Sequence, residues 1–265
     1  MNIEIRDSLV EVPGGRVFVR RWSLDQGNRP PLILLHDSLG SVDQWRDFPE
    51  ALAGATARAV VAYDRLGFGR STPRTQRPSA DFIREEAETF FPAVQRALGI
   101  PRFVLFGHSV GGAMALTISA AQREACDAVV TEAAQAFVEL RTLAGIRAAK
   151  AQFTDPQQFE RLAKWHGEKA RWVLDAWTEV WLSAEFGAWR LDPYLAQVMC
   201  PVLAIHGELD EYGSVEFPRR IASGVSGRSQ LAILEDCGHV PHREQREEVL
   251  RLIAAFLAEH ADASR

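Results

Sequence analysis

Cysteine is scarce in this sequence of 265 residues, which contains three: Cys126, Cys200 and Cys237. The number is odd, and no two of them form a Cys-x-x-Cys pair. A disulfide framework and a structural zinc site are therefore not expected. Cysteines used in this way are typical of a reducing compartment, so we predict a cytoplasmic protein.

Long apolar runs are also missing. The longest cover a handful of residues, whereas a helix that crosses a bilayer needs about 20. The opening residues, MNIEIRDSLV, mix charged and apolar side chains and lack the apolar stretch of a secretory signal. We therefore expect neither secretion nor contact with membranes.

Positive charge is not in excess, because 30 Lys and Arg residues face 35 Asp and Glu residues and give a net charge of −5. Without a basic cluster for phosphate contacts, nucleic acid is not an expected partner. The hydrophobic fraction of 47% is ordinary for a globular chain, and one α/β domain can have this length. The expected partner is a small-molecule substrate, and the sequence leaves open whether the chain forms a homodimer.

Short apolar runs alternate with helical segments along most of the chain. The runs cover residues 32–35, 59–63, 103–106, 128–130, 202–205 and 231–234. Such runs are typical of parallel strands that are covered on both faces. Residues 16–22 alternate with a period of two after Pro13-Gly14-Gly15, which predicts that the first two strands form a hairpin. Helices predicted near residues 43–54, 79–98, 110–122, 215–223 and 244–259 complete a doubly wound α/β fold.

Residues 134–196 interrupt this alternation. They contain no strand-like run, and their composition is helical. Five of the seven tryptophans lie here, namely Trp165, Trp172, Trp177, Trp181 and Trp189. We predict that this segment is a helical cap inserted into a core formed by residues 1–133 and 197–265.

A Gly-x-Ser-x-Gly motif, Gly107-His108-Ser109-Val110-Gly111, joins an apolar strand to a helical segment. In this context the motif predicts a nucleophile elbow, a tight turn that raises a serine above the edge of the sheet. Ser109 is thus the predicted nucleophile. The N–H of Val110, at the start of the helix, is a predicted oxyanion donor. The competing interpretation is a glycine-rich turn that binds phosphate, but no phosphate-binding motif accompanies it.

A serine nucleophile needs a general base. His239 follows the strand at 231–234 and precedes the last helix, so it lies where open α/β sheets place their sites. His242, three residues on, is the alternative base. His166 and His260 are expected at the surface.

The base in turn needs an acid that orients it. Asp210 follows the strand at 202–205, and the chain order Ser109, Asp210, His239 is the order expected on this fold. Glu132, just after the strand at 128–130, is the alternative acid.

The loop after the strand at 32–35 is expected to supply a second oxyanion donor. Ser38 is the first candidate and Leu39 the second. The residues expected in the substrate pocket are Asp37, Leu39, His108, Phe137, Trp177 and Trp181. Arg65 and Arg141 are candidates for contact with a substrate carboxylate.

Together these motifs resemble the α/β-hydrolase superfamily over essentially the whole chain. The matching pieces are HDSLGSVDQW (36–45), YDRLGFGRS (63–71), GHSVGG (107–112), GELD (207–210) and CGHVPH (237–242). The resemblance implies an eight-stranded, mostly parallel sheet with an antiparallel second strand, helices on both faces and a helical cap after strand 6. The runs counted above give the same strand number and insertion point.

The loop SLGSVDQW is similar to that of 3-oxoadipate enol-lactonases, and the double-glycine elbow to that of meta-cleavage-product hydrolases. Where the superfamily usually has His-Gly in this loop, this sequence has His36-Asp37. We expect a serine hydrolase that cleaves a small ester or lactone without a metal or cofactor. The alternatives are a carbon–carbon hydrolase of a vinylogous diketone, a catalytically silent ligand receptor, and a cofactor-free oxygenase or acyltransferase.

Overall fold

The computed structural model describes residues 3–24 and 29–260. Eight strands form one sheet in the order β1-β2-β4-β3-β5-β6-β7-β8. Their bounds are β1 Ile3–Val12, β2 Gly15–Leu24, β3 Leu32–Leu35, β4 Val60–Tyr63, β5 Phe103–His108, β6 Cys126–Glu132, β7 Val202–Gly207 and β8 Ser229–Leu234. Strand β2 pairs antiparallel with β1 and β4, and the remaining pairs are parallel. The predicted fold class is therefore confirmed.

Helices cover both faces of this sheet. The α-helices are α1 Phe48–Thr56, α2 Phe82–Glu85, α3 Phe91–Ala97, α4 Val110–Ala121, α5 Leu140–Gln152, α6 Pro156–His166, α7 Ala170–Trp181, α8 Asp192–Leu195, α9 Glu216–Gly224, α10 Pro241–Glu244 and α11 Arg246–His260. Helices α1 and α11 pack on one face, and α3, α4 and α9 pack on the other. None of the helices in the described part of the chain combines the length and apolar composition that crossing a bilayer requires.

The apolar runs form strands because both of their faces are buried. Along β3, alternate side chains belong to two different apolar clusters: Ile33 and Leu35 to one, Leu32 and Leu34 to the other. All four residues are at most 1% exposed. A strand that supplies both clusters has no polar face, which explains why its sequence does not alternate.

Two predicted helices are interrupted. The segment expected at 43–54 divides into a 3₁₀ turn, Val42–Trp45, and α1, because Arg46 between them adopts a φ of 54°. The segment expected at 79–98 begins at Phe82 and contains a π-helical turn, Glu86–Phe90. Pro92 follows that turn. A proline has no N–H for the preceding turn and its ring crowds the carbonyl four residues back, so a local widening of the helix accommodates it.

Helices α5 to α8 lie between β6 and β7, in the segment predicted as an insertion; its role as a lid stays a prediction. We call residues 134–196 the inserted segment. Asp155 accepts a hydrogen bond from the Gln157 N–H and so begins α6 as an N-cap, with Pro156 at the first helical position.

The inserted segment is fixed to the core by hydrogen bonds to the loop that follows β4. Lys169 Nζ donates to the carbonyl oxygens of Phe68, Gly69 and Ser71 over 3.1, 2.5 and 2.6 Å. The Gly69 N–H donates to His166 Nδ1 at 2.9 Å. His166 is 2% exposed, so the prediction of a surface histidine is wrong. His260 is also largely covered, because its ring packs on Phe256.

Candidate active site

Strand β5 leads directly into Ser109, and α4 begins at the next residue. Ser109 has φ 56° and ψ −125°, a backbone conformation that non-glycine residues seldom adopt. Its N–H donates to the Glu132 carbonyl oxygen at 2.8 Å, which anchors the turn to the end of the adjacent strand. The local geometry is that of a nucleophile elbow.

Two glycines allow this turn to form. A Cβ on Gly107 would overlap the Gly111 carbonyl, and a Cβ on Gly111 would overlap the Leu35 carbonyl. Because these neighbours are main-chain atoms, they cannot move aside as a side chain could. The glycines of the motif are therefore required by close backbone packing at the crossing of β5, α4 and β3.

The three residues predicted as nucleophile, base and acid lie in one hydrogen-bonded row. The His239 ring contacts Asp210 Oδ2 through Nδ1 at 2.8 Å and Ser109 Oγ through Nε2 at 3.1 Å. A ring that donates from Nδ1 to the carboxylate has a lone pair on Nε2, so it can accept the serine proton. Asp210 Oδ1 also accepts the main-chain N–H groups of Tyr212 and Gly213, at 2.7 and 3.2 Å.

The charges in this row stabilise each other. Burial favours the neutral form of both groups, but the attraction and hydrogen bond between them outweigh it. They raise the pKa of His239 and lower the pKa of Asp210. Asp210 is 1% exposed, so little solvent screens the pair. The geometry favours an ionised Asp210 that supports a positive charge on His239.

The alternative base and acid, His242 and Glu132, pair with each other instead. His242 contacts Glu132 through Nδ1 at 2.6 Å and through its main-chain N–H at 2.5 Å. His108 packs beside them, and its Nε2 donates to the His239 carbonyl oxygen at 2.8 Å. The hydrogen bonds of this buried cluster support the loop that carries His239.

Among the described residues, His108, Glu132 and His242 also form the group whose spacing suits a metal, because their ligand atoms lie within 4.8 Å of one another. Both oxygens of Glu132 already accept hydrogen bonds from His242, and His108 Nε2 is committed to the His239 carbonyl. His242 Nε2 is buried and has no hydrogen-bond partner. Because both carboxylate oxygens and His108 Nε2 are already engaged, the group fits a hydrogen-bonded cluster better than a metal centre.

Hydrogen bonds from Arg65 anchor the loop that follows β3. Arg65 donates its main-chain N–H to His36 Nε2 at 3.1 Å, and its Nη2 donates to the Asp37 carbonyl oxygen at 2.7 Å. Asp37 is not among the described non-glycine residues that have a positive φ. The aspartate is therefore accommodated there without backbone strain. Both candidates for the second oxyanion donor, Ser38 and Leu39, line the cavity beside Ser109.

A cavity with an empty volume of about 710 Å³, partly open to solvent, adjoins Ser109 and His239. It is lined by Asp37, Ser38, Leu39, Ser109, Gln135, Thr142, Ile146, Trp177, Trp181, Glu211, Tyr212, His239 and Val240. Of the predicted pocket residues, Asp37, Leu39, Trp177 and Trp181 are in this lining. Val110 is fully buried at the start of α4, where the first N–H groups have no acceptor within the helix.

Two predicted pocket residues lie elsewhere. The Phe137 ring packs against Phe217 with centroids 4.8 Å apart, because the backbone at Phe137 bridges to Arg190 and holds the ring against α9. His108 turns away from the cavity to reach the His239 carbonyl. Including these two residues in the pocket was therefore wrong.

Gln135 was missed by the sequence analysis. It is 4% exposed, lines the cavity and donates from Nε2 to Ser109 Oγ at 3.1 Å. It lies three residues beyond the end of β6, and side chains that follow strand ends gather at the site in folds of this kind. That position is the sequence signal from which Gln135 could have been identified.

Comparisons with known proteins agree with this architecture. Residues 30–244 match the family model described as the alpha/beta hydrolase fold. Among curated proteins, the 1-acylglycerol-3-phosphate O-acyltransferase ABHD5 of Homo sapiens is 35% identical over 111 residues, covering 40% of this chain and 30% of that protein. The chain thus spans about a third of the length of the first curated relatives that it matches.

Solved structures superimpose over nearly the whole chain. The 2-hydroxy-6-oxo-6-phenylhexa-2,4-dienoate hydrolase from Rhodococcus sp. strain RHA1 has a TM-score of 0.81 at 17% identity, covering 97% of this chain and 100% of that one. The enol-lactonase from Burkholderia xenovorans LB400 has a TM-score of 0.73 at 19% identity, covering 95% and 100%. At these identities the likeness shows a shared fold. With the family model matched over most of its length, the chain belongs to the α/β-hydrolase fold family.

Proposed function

We propose that the protein is a serine hydrolase that cleaves a small ester, lactone or related acyl compound through an acyl-enzyme. The observation that carries this proposal is the row of Ser109, His239 and Asp210, joined by contacts of 3.1 and 2.8 Å at the wall of a cavity. A hydroxyl beside an oriented imidazole is the arrangement that activates serine as a nucleophile.

The reaction follows from the protonation states in this row. Ser109 Oγ attacks the substrate carbonyl while His239 Nε2 takes the hydroxyl proton. Asp210 keeps the ring in the required tautomer and stabilises the imidazolium. His239 then gives the proton to the leaving group, and water, activated in the same way, releases the acyl group.

The tetrahedral intermediate places a negative charge on the former carbonyl oxygen. The Val110 N–H, at the start of α4, is one proposed donor to this oxygen, and the Ser38 N–H is the other. A single donor of this kind contributes about 3–4 kcal/mol to transition-state stabilisation in comparable sites. The positive end of the α4 dipole adds to the effect.

Carbon–carbon hydrolysis of a vinylogous diketone is less well supported, because such a substrate carries a terminal carboxylate. The described lining of the cavity contains no lysine or arginine. Arg65 and Arg141, the candidates from the sequence, donate to the carbonyl oxygens of Asp37 and Asp210 instead. Arg65 and Arg74 line an adjoining cavity that shares Ser38, Trp177 and Trp181 with this one. The cavity beside Ser109 itself thus offers no cation to a carboxylate.

The test is intact-mass labelling with a fluorophosphonate probe. Wild type and Ser223→Ala, a control in which an exposed serine on α9 is changed, are expected to gain one adduct. Ser109→Ala is expected to gain none. Unlabelled wild type would then be screened with esters and lactones, and with alcohols as acyl acceptors.

An adduct on Ser109→Ala, or no adduct on a folded wild type, would overturn the proposal. The absence of an adduct would favour a ligand receptor. An adduct combined with acyl transfer to alcohols at the expense of hydrolysis would favour an acyltransferase.

A further inference from the structure

Two of the three cysteines lie in contact with each other. The sulfur atoms of Cys126 and Cys200 are 4.0 Å apart, whereas Cys237 packs in the apolar cluster on the other face of the sheet. A buried cysteine that only fills space behaves as a small apolar side chain. Two thiols in contact can do more, because oxidation can join them by a covalent bond.

The pair lies where the two strands that flank the inserted segment begin. Cys126 is the first residue of β6, and Cys200 lies two positions before β7. These strands pair with each other from Val129 and Val202 onwards, so the sheet fixes both backbones side by side. A disulfide places its sulfurs about 2 Å apart. The remaining distance therefore has to be closed by rotation of the two side chains, not by rearrangement of the sheet.

The two thiols differ in access and in acidity. Cys200 is partly exposed at the wall of a surface cavity with an empty volume of about 490 Å³, whereas Cys126 is 3% exposed. Hydrogen bonds from the Cys126 thiol and, to a smaller extent, from the Ser119 hydroxyl stabilise the Cys200 thiolate and lower the pKa of Cys200. Burial raises the pKa of the Cys126 thiol. Cys200 is thus the better nucleophile for an oxidant from solvent.

We propose that Cys126 and Cys200 are a redox pair that a hydroperoxide oxidises to a disulfide. The Cys200 thiolate attacks one peroxide oxygen, the O–O bond breaks, and the alkoxide or hydroxide that leaves takes up a proton. The Cys126 thiol then attacks the sulfenic sulfur, which forms the S–S bond and releases water. Two thiols are oxidised and two peroxide oxygens are reduced. Only Cys200 has to meet the oxidant, because Cys126 already contacts its sulfur.

The disulfide would close a loop that contains the whole inserted segment. It would lie at the amino ends of the strands, whereas Ser109 and Asp210 follow the carboxyl ends of β5 and β7, so the proposal does not depend on the proposed function. A link across so long a loop restricts the unfolded chain more than the folded one. We expect it to raise the midpoint of urea denaturation by about 1 M. A thiol reductant would reverse the effect.

The experiment treats the folded protein with hydrogen peroxide, blocks the remaining thiols with N-ethylmaleimide in denaturant and maps the cysteines by mass spectrometry. Wild type is expected to lose two hydrogens, to take up one maleimide on Cys237 and to yield a linked peptide pair that contains Cys126 and Cys200. Dithiothreitol should restore all three maleimide sites. Cys237→Ser, the matched control, should form the same link.

Two further variants separate the roles of the thiols. Cys126→Ser is expected to stop at a sulfenic acid on Cys200, which dimedone traps. Cys200→Ser is expected to keep a free thiol at Cys126, because the oxidant does not reach that buried side chain. Peroxide should raise the urea midpoint of wild type and of Cys237→Ser, and should leave that of the other two variants unchanged.

Three free thiols in folded wild type after peroxide treatment would overturn the proposal. A comparison in urea shows whether the fold selects the pair. There the shorter loop between Cys200 and Cys237 costs less entropy to close, so a mixture of links is expected. The same mixture from the folded protein would also overturn the proposal. If the serine variants do not fold, these two measurements on wild type decide.

Discussion

His166 donates a hydrogen bond from Nε2 to the carbonyl oxygen of Leu39 over 2.9 Å. Leu39 follows Ser38, whose N–H is a proposed oxyanion donor. His166 is the last residue of α6, in the inserted segment. The Nδ1 atom of the same ring accepts from the Gly69 N–H. One imidazole therefore joins the inserted segment to two loops of the sheet core.

Replacing His166 by phenylalanine is expected to weaken both stability and catalysis. The phenyl ring is somewhat larger than the imidazole and has no polar atoms, so the Leu39 carbonyl and the Gly69 N–H would each lose a buried partner. Leaving two such groups unpaired costs about 2–4 kcal/mol of unfolding free energy. Urea denaturation measures this loss, and kcat/KM is expected to fall because the oxyanion loop loses its support. An unchanged kcat/KM in a destabilised His166→Phe would show that the loop does not depend on the imidazole.

Asp210→Asn is expected to lower kcat by about four orders of magnitude, because an amide stabilises the wrong imidazole tautomer. Glu208→Gln is the matched control, since Glu208 is an exposed carboxylate on the same turn. Steady-state kinetics of both variants with one ester would decide. Similar rates for the two variants would mean that Asp210 does not orient His239.

The pH dependence of kcat/KM should report on His239. Only the neutral imidazole accepts the serine proton, and Asp210 raises the pKa of His239 above its ordinary value of 6.5. Activity should therefore decline as the pH falls through a midpoint above 6.5. In Asp210→Asn the residual activity should titrate at lower pH, because the charge that raises the pKa is gone. A midpoint that is the same in both proteins would assign the titration to another group.

The free energy of unfolding should also decrease as the pH falls, for a different reason. Burial lowers the pKa of His108 to about 4, whereas the unfolded chain titrates it near 6.5. Between these two values the unfolded state binds a proton that the folded state refuses, so acid favours unfolding. From pH 7 to pH 5 this one group should remove about 2 kcal/mol.

His108→Asn keeps a donor for the His239 carbonyl but does not titrate. Urea denaturation at both pH values should show a loss about 2 kcal/mol larger in wild type than in this variant. The comparison isolates His108 from His36, His166 and His206, in which burial also lowers the pKa. Equal losses in the two proteins would contradict the expectation.

The sheet could be predicted from the sequence because its strands are buried on both faces. Runs such as 32–35 and 103–106 are apolar throughout, which distinguishes them from alternating strands and from amphipathic helices. The gaps between successive runs are long enough for a connecting helix. Ser109 was identifiable because a nucleophile elbow needs glycines at fixed distances from the serine. The positions of Asp210 and His239 followed from the rule that site residues lie at the carboxyl ends of parallel strands.

The remaining features depend on contacts between distant parts of the chain. His166 lies on a helix whose own sequence is mostly polar, and it is buried only because α6 docks on Leu39 and Gly69. Gln135 follows the end of β6, but its contact with Ser109 depends on how two distant turns pack together. The ring of Phe137 follows a backbone bridge to Arg190, 53 positions further along the chain. No local periodicity encodes such pairings.

The backbone of Ser109 is tied to Glu132 and packed against Leu35 through Gly111, whereas four of the thirteen residues that line the cavity come from α5 and α7. These four side chains belong to elements that do not hold the turn at Ser109. Mutations at Thr142, Ile146, Trp177 or Trp181 are therefore expected to change which ligand fits without moving Ser109. If the proposed function holds, substrate preference could therefore evolve through these helices while the turn that carries Ser109 stays unchanged.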